Sequence, residues 1–143
     1  LPEPHFPSLC DGTAADRASF SCNIHKEIAM ATMQDCITDC LDCHSVCLAT
    51  ISHCLQKGGG HAEPTHIRLL QDCAQICVTS ADFMLRGSPL HQMTCRICAG
   101  FCEMCAEDCA RLADDEAMVL CVETCRRCAQ SCSEMAAAER KAA

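Results

Sequence analysis

Eighteen cysteines in 143 residues constrain this chain more than any other feature, because of how they are spaced. From Cys36 to Cys47 the steps are 4, 3, 4; from Cys95 to Cys109 they are 3, 4, 3, 4; from Cys121 to Cys132 they are 4, 3, 4. Alternating steps of three and four mark one face of an α-helix, the a/d seam of a heptad. A disulfide scaffold, the usual reading of so many cysteines, is loop-rich with irregular gaps. Here Gly, Pro and Asn are scarce inside the cysteine segments. Bridges along one face of one helix would also constrain nothing.

The punctuation between these segments predicts an up-down-up-down antiparallel four-helix bundle, an all-α fold with a short N-terminal helix and arm. Residues 1–12 hold three of the five prolines and read as an irregular arm. A helix start at Thr13 predicts a short helix over 13–20. Ser21 or Asn23 caps a first long helix running to Lys57, where Gly58-Gly59-Gly60 ends it. Pro64 suits the first turn of a second helix, which ends at Gly87. Ser88-Pro89 opens a third helix reaching about Ala113. Asp114, Asp115 and Glu116 favour the positive N-terminal end of a fourth, running to about Ala138. The domain plan is an arm over 1–23, a bundle over 24–138 and a frayed tail over 139–143. Short loops make sequential helices antiparallel neighbours.

The heptad register gives each helix a seam. The first reads Met33, Cys36, Cys40, Cys43, Cys47, Thr50, Cys54, and Cys22 extends it backwards. The second reads His66, Leu70, Cys73, Cys77, Ser80, Met84. The third reads His91, Cys95, Cys98, Cys102, Cys105, Cys109, Leu112. The fourth reads Met118, Cys121, Cys125, Cys128, Cys132, Met135. A bundle buries its a/d faces, so the four seams converge into a column of thiols. Only 26 residues are Leu, Ile, Val or Phe, a share that signals disorder in a highly charged chain. The net charge of -8 is moderate, and 18 Cys with 20 Ala make up the apolar deficit.

A buried cysteine normally behaves as a small hydrophobe. Sixteen of them in place of Leu and Ile would leave an underpacked, weakly stable bundle. Thiolate-bound metal fills such a column and contributes folding free energy. Zinc prefers four ligands in a tetrahedron, usually on loop knuckles. Here CxxC and CxxxC pairs alternate along straight helices, with Cβ atoms roughly 5–6 Å apart. That suits metal bridged by two thiolates of one helix with a third from across the core. Soft thiolate and thioether ligands select Cu(I), so many Cu(I) ions per chain come first. Zinc or mixed soft-metal buffering is the alternative. An iron–sulfur reading lacks its compact loop and the Cys-Pro pair.

Antiparallel packing gathers Met33, Met84, His91 and Met135 at one end of the column, as a port for metal or as apolar plugs. His66 marks the opposite end, with Met118 and His61 nearby. His25, His44 and His53 fall beside the seam and read as surface residues, and Cys10 in the arm reads as incidental. The first helix carries a second apolar stripe, Ile37, Leu41, Leu48, Ile51 and Leu55, about 100° from the seam, a candidate oligomer interface. A redox enzyme would need one activated thiol beside a base or helix N-terminus. No pair here is set apart, and a non-enzymatic protein is expected. A copper chaperone delivering to a partner would hold only one or two ions.

Three blocks carry a resemblance. Cys36-Ile-Thr-Asp-Cys-Leu-Asp-Cys-His-Ser-Val-Cys47, Cys95-Arg-Ile-Cys-Ala-Gly-Phe-Cys-Glu-Met-Cys-Ala-Glu-Asp-Cys109 and Cys121-Val-Glu-Thr-Cys-Arg-Arg-Cys-Ala-Gln-Ser-Cys132 resemble the bacterial copper storage proteins over about residues 24–138. The resemblance implies a homotetramer of four-helix bundles. Each would store many Cu(I) ions in a thiolate-lined core, with Met and His near one open end. The second helix departs from the thiol-rich pattern: it has only Cys73 and Cys77, with Leu70 and Ser80 in seam positions.

The acidic balance and the lack of a basic run exclude nucleic acid as a partner, and no apolar run is long enough to span a membrane. A copper-donating or copper-accepting protein is an expected partner. That family has exported and cytosolic branches. A sequence opening on Leu1 rather than Met fits a processed, exported (periplasmic) protein, with the cytoplasm as the alternative.

Overall fold

The computed structural model describes residues 31–138. Four long helices account for most of that span: α1 (Met33–Lys57), α2 (Pro64–Leu85), α3 (His91–Ala110) and α4 (Glu116–Ala137). A 3₁₀ turn over Gly59–Ala62 joins α1 to α2. α1 packs on α2 and α4, and α3 packs on α2 and α4. This is the ring of an up-down-up-down bundle, as the seams and short connections require. No described helix is long and apolar enough to cross a membrane.

The start of α1 differs from the expected cap at Ser21 or Asn23. Thr32 is the cap: its backbone is extended (ψ 163°), its hydroxyl accepts from the Asp35 amide, and the Asp35 carboxylate accepts from the Thr32 amide. This reciprocal capping box satisfies two donors that a helix start leaves unpaired. The short helix over 13–20, Cys10, Cys22, His25 and the tail from 139 lie outside the described residues.

The other boundaries follow local chemistry. Gly58 closes α1 at φ 77°, a left-handed conformation that costs any other residue a clash at Cβ. Pro64 occupies the first turn of α2. Gly87, at φ 65°, turns the chain out of α2. Ser88 and Pro89 form a turn instead of the first turn of α3, which begins at His91; the Ser88 hydroxyl accepts from the Leu90 amide. Asp115 caps α4 by accepting from the Met118 amide. Lys57, on the last turn of α1, pairs with Asp114 and Asp115, and Arg127 pairs with Asp39 and Asp42. Both ion-pair groups tie α4 and its approach to α1.

The interior is made of small side chains. All sixteen cysteines among the described residues are free and wholly buried. Among the described residues Leu70 is the only leucine in the buried core; Met84, Met118, Met135, Ile37, Val122 and several alanines supply the rest of its apolar matter. On the second stripe of α1, Ile37 is buried and Ile51 packs against the core, but Leu41, Leu48 and Leu55 are 39%, 48% and 57% exposed.

Candidate metal centre

Heptad spacing delivers each seam cysteine to the axis of the bundle, and the thiols meet there mostly between helices. On the α1–α4 side, Cys40 Sγ lies 3.4 Å from Cys132 and 3.8 Å from Cys128, Cys36 lies 3.6 Å from Cys132, and Cys43 lies 3.7 Å from Cys125. On the α2–α3 side, Cys77 lies 3.5 Å from Cys102 and 3.7 Å from Cys98, and Cys73 lies 3.8 Å from Cys102. Along single helices the close pairs are Cys43 with Cys47 at 4.0 Å and Cys98 with Cys102 at 3.9 Å. The shortest sulfur–sulfur distances therefore run between helices. Contacts across the core come first, and within a helix it is CxxxC spacing, one turn apart on the same face, that brings sulfurs together.

These pairs close into sets of four whose sulfurs all lie within 4.8 Å of one another: Cys40, Cys98, Cys128, Cys132; Cys43, Cys73, Cys77, Cys102; and Cys47, Cys105, Cys121, Cys125. The sets overlap. Cys43, Cys47, Cys73 and Cys125 form another, as do Cys77, Cys98, Cys102 and Cys128. Two thiolates each about 2.3 Å from one metal ion stand roughly 3.8–4.0 Å apart, close to the spacing here. Because eight of the twelve sulfurs in these five sets belong to two of them, the column is a continuous ligand network instead of a series of closed tetrahedral sites. The two thiols of α2 suffice to bring that helix into it.

Hydrogen bonds between thiols polarise the network. Cys40, facing Cys128, Cys132 and Cys36, is drawn down to about 6, and Cys95, facing Cys132 and Cys36, to about 3. A thiol that titrates early is a ready ligand, since the thiolate is the form that binds metal. Cys54 goes the other way: burial raises it, reinforced by charge on Cys121 and Asp115.

The two ends differ. At the first, Met84 Sδ lies 3.8 Å from Cys95 Sγ, Ser80 Oγ lies 3.4 Å from the same sulfur, and Met135 is buried. His91 is half-buried and its Nδ1–H donates to the Ser88 carbonyl. Met33 does not join this group: on the first turn of α1, one step outside the last buried layer, it is 38% exposed. At the second end His66 is 2% exposed and Met118 wholly buried, both beside Cys54. His61 is buried in the 3₁₀ turn, its ring bonded to Asp114, while His53 bonds Asp115 and His44 donates to the Ala74 carbonyl. His44 and His53, beside the seam, thus serve as helix–helix ties. The part of Asp108, which bonds His66, had no signal in the sequence: the pair is 42 residues apart.

Similarity to known proteins agrees with this centre. Over 68 residues, 48% of this chain, it is 35% identical to the cysteine-rich protein YhjQ of Bacillus subtilis, and spans 63% of that relative's length. The Cu(I)-bound copper storage protein BsCsp3 of Bacillus subtilis superposes with a TM-score of 0.68 at 33% identity, covering 72% of this chain and 96% of that one. A cytosolic copper storage protein from Streptomyces lividans, solved with five coppers, gives 0.64 at 34% identity, covering 73% and 92%; the same protein is known loaded with ten copper equivalents. Its cytosolic place overturns the expectation of export and favours the cytoplasmic alternative. The family model for copper storage proteins matches residues 29–137, and the chain belongs to that family.

Proposed function

We propose that this protein is a many-ion store for Cu(I), working in the cytoplasm. The observation that carries the reading is the sharing of sulfurs between neighbouring four-thiol sets along one buried column. Zinc saturates four thiolates per closed site. A network in which one sulfur serves two sets suits a soft monovalent ion that accepts two or three bridging thiolates. The ligands are Cys36, Cys40, Cys43, Cys47, Cys54, Cys73, Cys77, Cys95, Cys98, Cys102, Cys105, Cys109, Cys121, Cys125, Cys128 and Cys132. Met84, Met135 and His91 supplement them at one end and His66 at the other. No thiol pair stands apart from its neighbours as a nucleophile would, so the role is non-enzymatic. The exposed stripe of Leu41, Leu48 and Leu55 supports assembly into a homo-oligomer, a tetramer in this reading, and ions pass to and from a copper-handling protein.

Anaerobic competition tests the metal. Reduced protein preloaded with Zn(II) should surrender all of it to Cu(I), with the ultraviolet thiolate-to-copper band growing as zinc appears in the filtrate. Retention of zinc against excess Cu(I) would overturn the assignment.

A further inference from the structure

α3 carries two apolar seams. One is the cysteine seam turned to the axis. The other runs along its outer side from the capping residue onward: Leu90, Met93, Ile97, Phe101 and Met104, in steps of 3, 4, 4 and 3. Leu90, Met93, Ile97 and Met104 are between 50% and 60% exposed, and Phe101 is half-buried. A helix with such a repeat on two sides has room for two neighbours, and the bundle supplies only the inner one. The outer stripe continues onto α2: Phe101 shares a cleft of about 310 Å³ with Ile76, and Met104 shares one of about 320 Å³ with Leu69. The α1–α4 side is unlike it, crossed by the ion pairs of Arg127 with Asp39 and Asp42. Gly100 is an independent mark. It is exposed in the middle of α3, three residues from Ile97 and four from Met104, and so shares their side of the helix. A glycine inside a helix weakens it relative to alanine, and among the described residues nothing lies within 4 Å of the Cβ it lacks. The fold of one chain gives no reason for a glycine there. A helix laid closely across this point from outside gives one.

We propose that this α2–α3 face is a self-interface, in which α3 of a second copy lies antiparallel on α3 of the first about a two-fold axis beside Gly100. This rests on the homo-oligomer reading and extends it. A tetramer of dihedral symmetry needs two different self-complementary faces, and the α1 stripe of Leu41, Leu48 and Leu55 supplies one. The position of the glycine favours a second copy over an unrelated partner. Gly100 stands at the midpoint of a helix of 20 residues, which is where two identical antiparallel helices cross. Pairing about that point sets Phe101 over Gly100 of the second copy and Ile97 beside its Met104, so the ring fills the space that the missing Cβ leaves open. It also carries Arg86, at the end of α2, toward the end of the second copy where Glu107 borders a cleft, so that unlike charges meet. The size suffices. With helices about 30 Å long, each about 10 Å across and set side by side, the face projects about 600 Å² per copy. A stable dimer buries roughly 800 Å² of accessible surface on each side, and a face of interdigitating side chains has more accessible surface than its flat projection.

Sedimentation velocity of the full chain, reduced and metal-free, tests this with variants that the fold itself tolerates. Gly100→Arg enters open space and raises helix propensity. Its circular dichroism and Cu(I) capacity should match the parent's while the mass of the assembly halves. Ile97→Glu and Met104→Lys should each do the same alone. Together they set a Glu against a Lys twice across the two-fold axis and should restore the parent's mass. An unchanged mass in Gly100→Arg, or a double variant no larger than the single ones, would overturn the interface. The α1 stripe is separable. Leu48→Glu with Leu55→Lys should halve the mass on its own, and combined with Gly100→Arg should leave monomers. Halving by Gly100→Arg with no effect of the α1 pair would keep this face and defeat the α1 stripe. A parent chain that is monomeric at every concentration would defeat the homo-oligomer reading and this interface with it.

Discussion

Replacing Cys43 with alanine separates packing from metal binding at the centre of the column. Its sulfur is wholly buried, 3.7 Å from Cys125 and 4.0 Å from both Cys47 and Cys102. It belongs to two four-thiol sets, one with Cys73, Cys77 and Cys102 and one with Cys47, Cys73 and Cys125. In the apo protein the change deletes one atom from a close-packed interior. The lost burial and the small void together cost about 1 kcal/mol, which lowers Tm by about 3–4 °C for a domain of this size. In the loaded protein the same sulfur bridges ions, so its removal strips a ligand from each. Capacity should fall by about one to two ions, and the loaded form should lose more Tm than the apo form, because ligand-linked stability adds to the packing loss. Anaerobic Cu(I) titration gives the capacity, and far-ultraviolet circular dichroism melts of both forms give the Tm values. Unchanged capacity, with a copper-induced rise in Tm equal to the parent's, would show that Cys43 only packs and would refute the shared-sulfur argument.

Other perturbations probe the scaffold. Leu48→Glu with Leu55→Lys charges the exposed stripe on α1 and leaves the inward-packed Ile51 alone; light scattering should show smaller assemblies that still load copper, and an unchanged mass would defeat the interface. Thr32→Ala removes the α1 capping box and should cost about 1 kcal/mol in urea unfolding, whereas an unmoved midpoint would mean that the cap contributes nothing. Asp115 is held below the usual carboxylate range, first by Lys57 and then by the Met118 amide. Its folded state therefore releases the proton more readily than the unfolded chain. That contribution is present above the unfolded value near about pH 4 and is lost as pH falls through the lower folded value. Apo Tm should drop on acidification through this window, and less steeply in Asp115→Asn; equal slopes would exclude Asp115 as a source.

The seam was the most legible part of the sequence. A 3-4 repeat of cysteines fixes which face of each helix is buried, and burial of every described seam cysteine follows from packing four such faces together. Gly58, Pro64, Gly87 and Asp115 were readable as boundaries because each has one dominant local chemistry. Two things escaped. The heptad register of Cys22 continues through Thr32, so periodicity alone extends α1 past a cap whose signal is only a Thr and an Asp three apart. Partnerships across the core also have no sequence period. Which sulfurs meet depends on the axial stagger of helices, so the close inter-helix pairs of Cys40, Cys77 and Cys43 had no signal in the spacing. Met33 shows the same limit, since register places it on the seam but not inside the last layer.

Storage is tested most directly by counting. The fully reduced protein is titrated with Cu(I) under anaerobic conditions against a chromophoric Cu(I) chelator, and saturation is read when free chelator begins to fill. With each ion on two thiolates and each thiolate shared by two ions, the sixteen core thiols should take about sixteen ions. Saturation at one or two ions would make this a carrier, and saturation near about four, one per four thiolates, would mean closed sites. Either result would contradict the account.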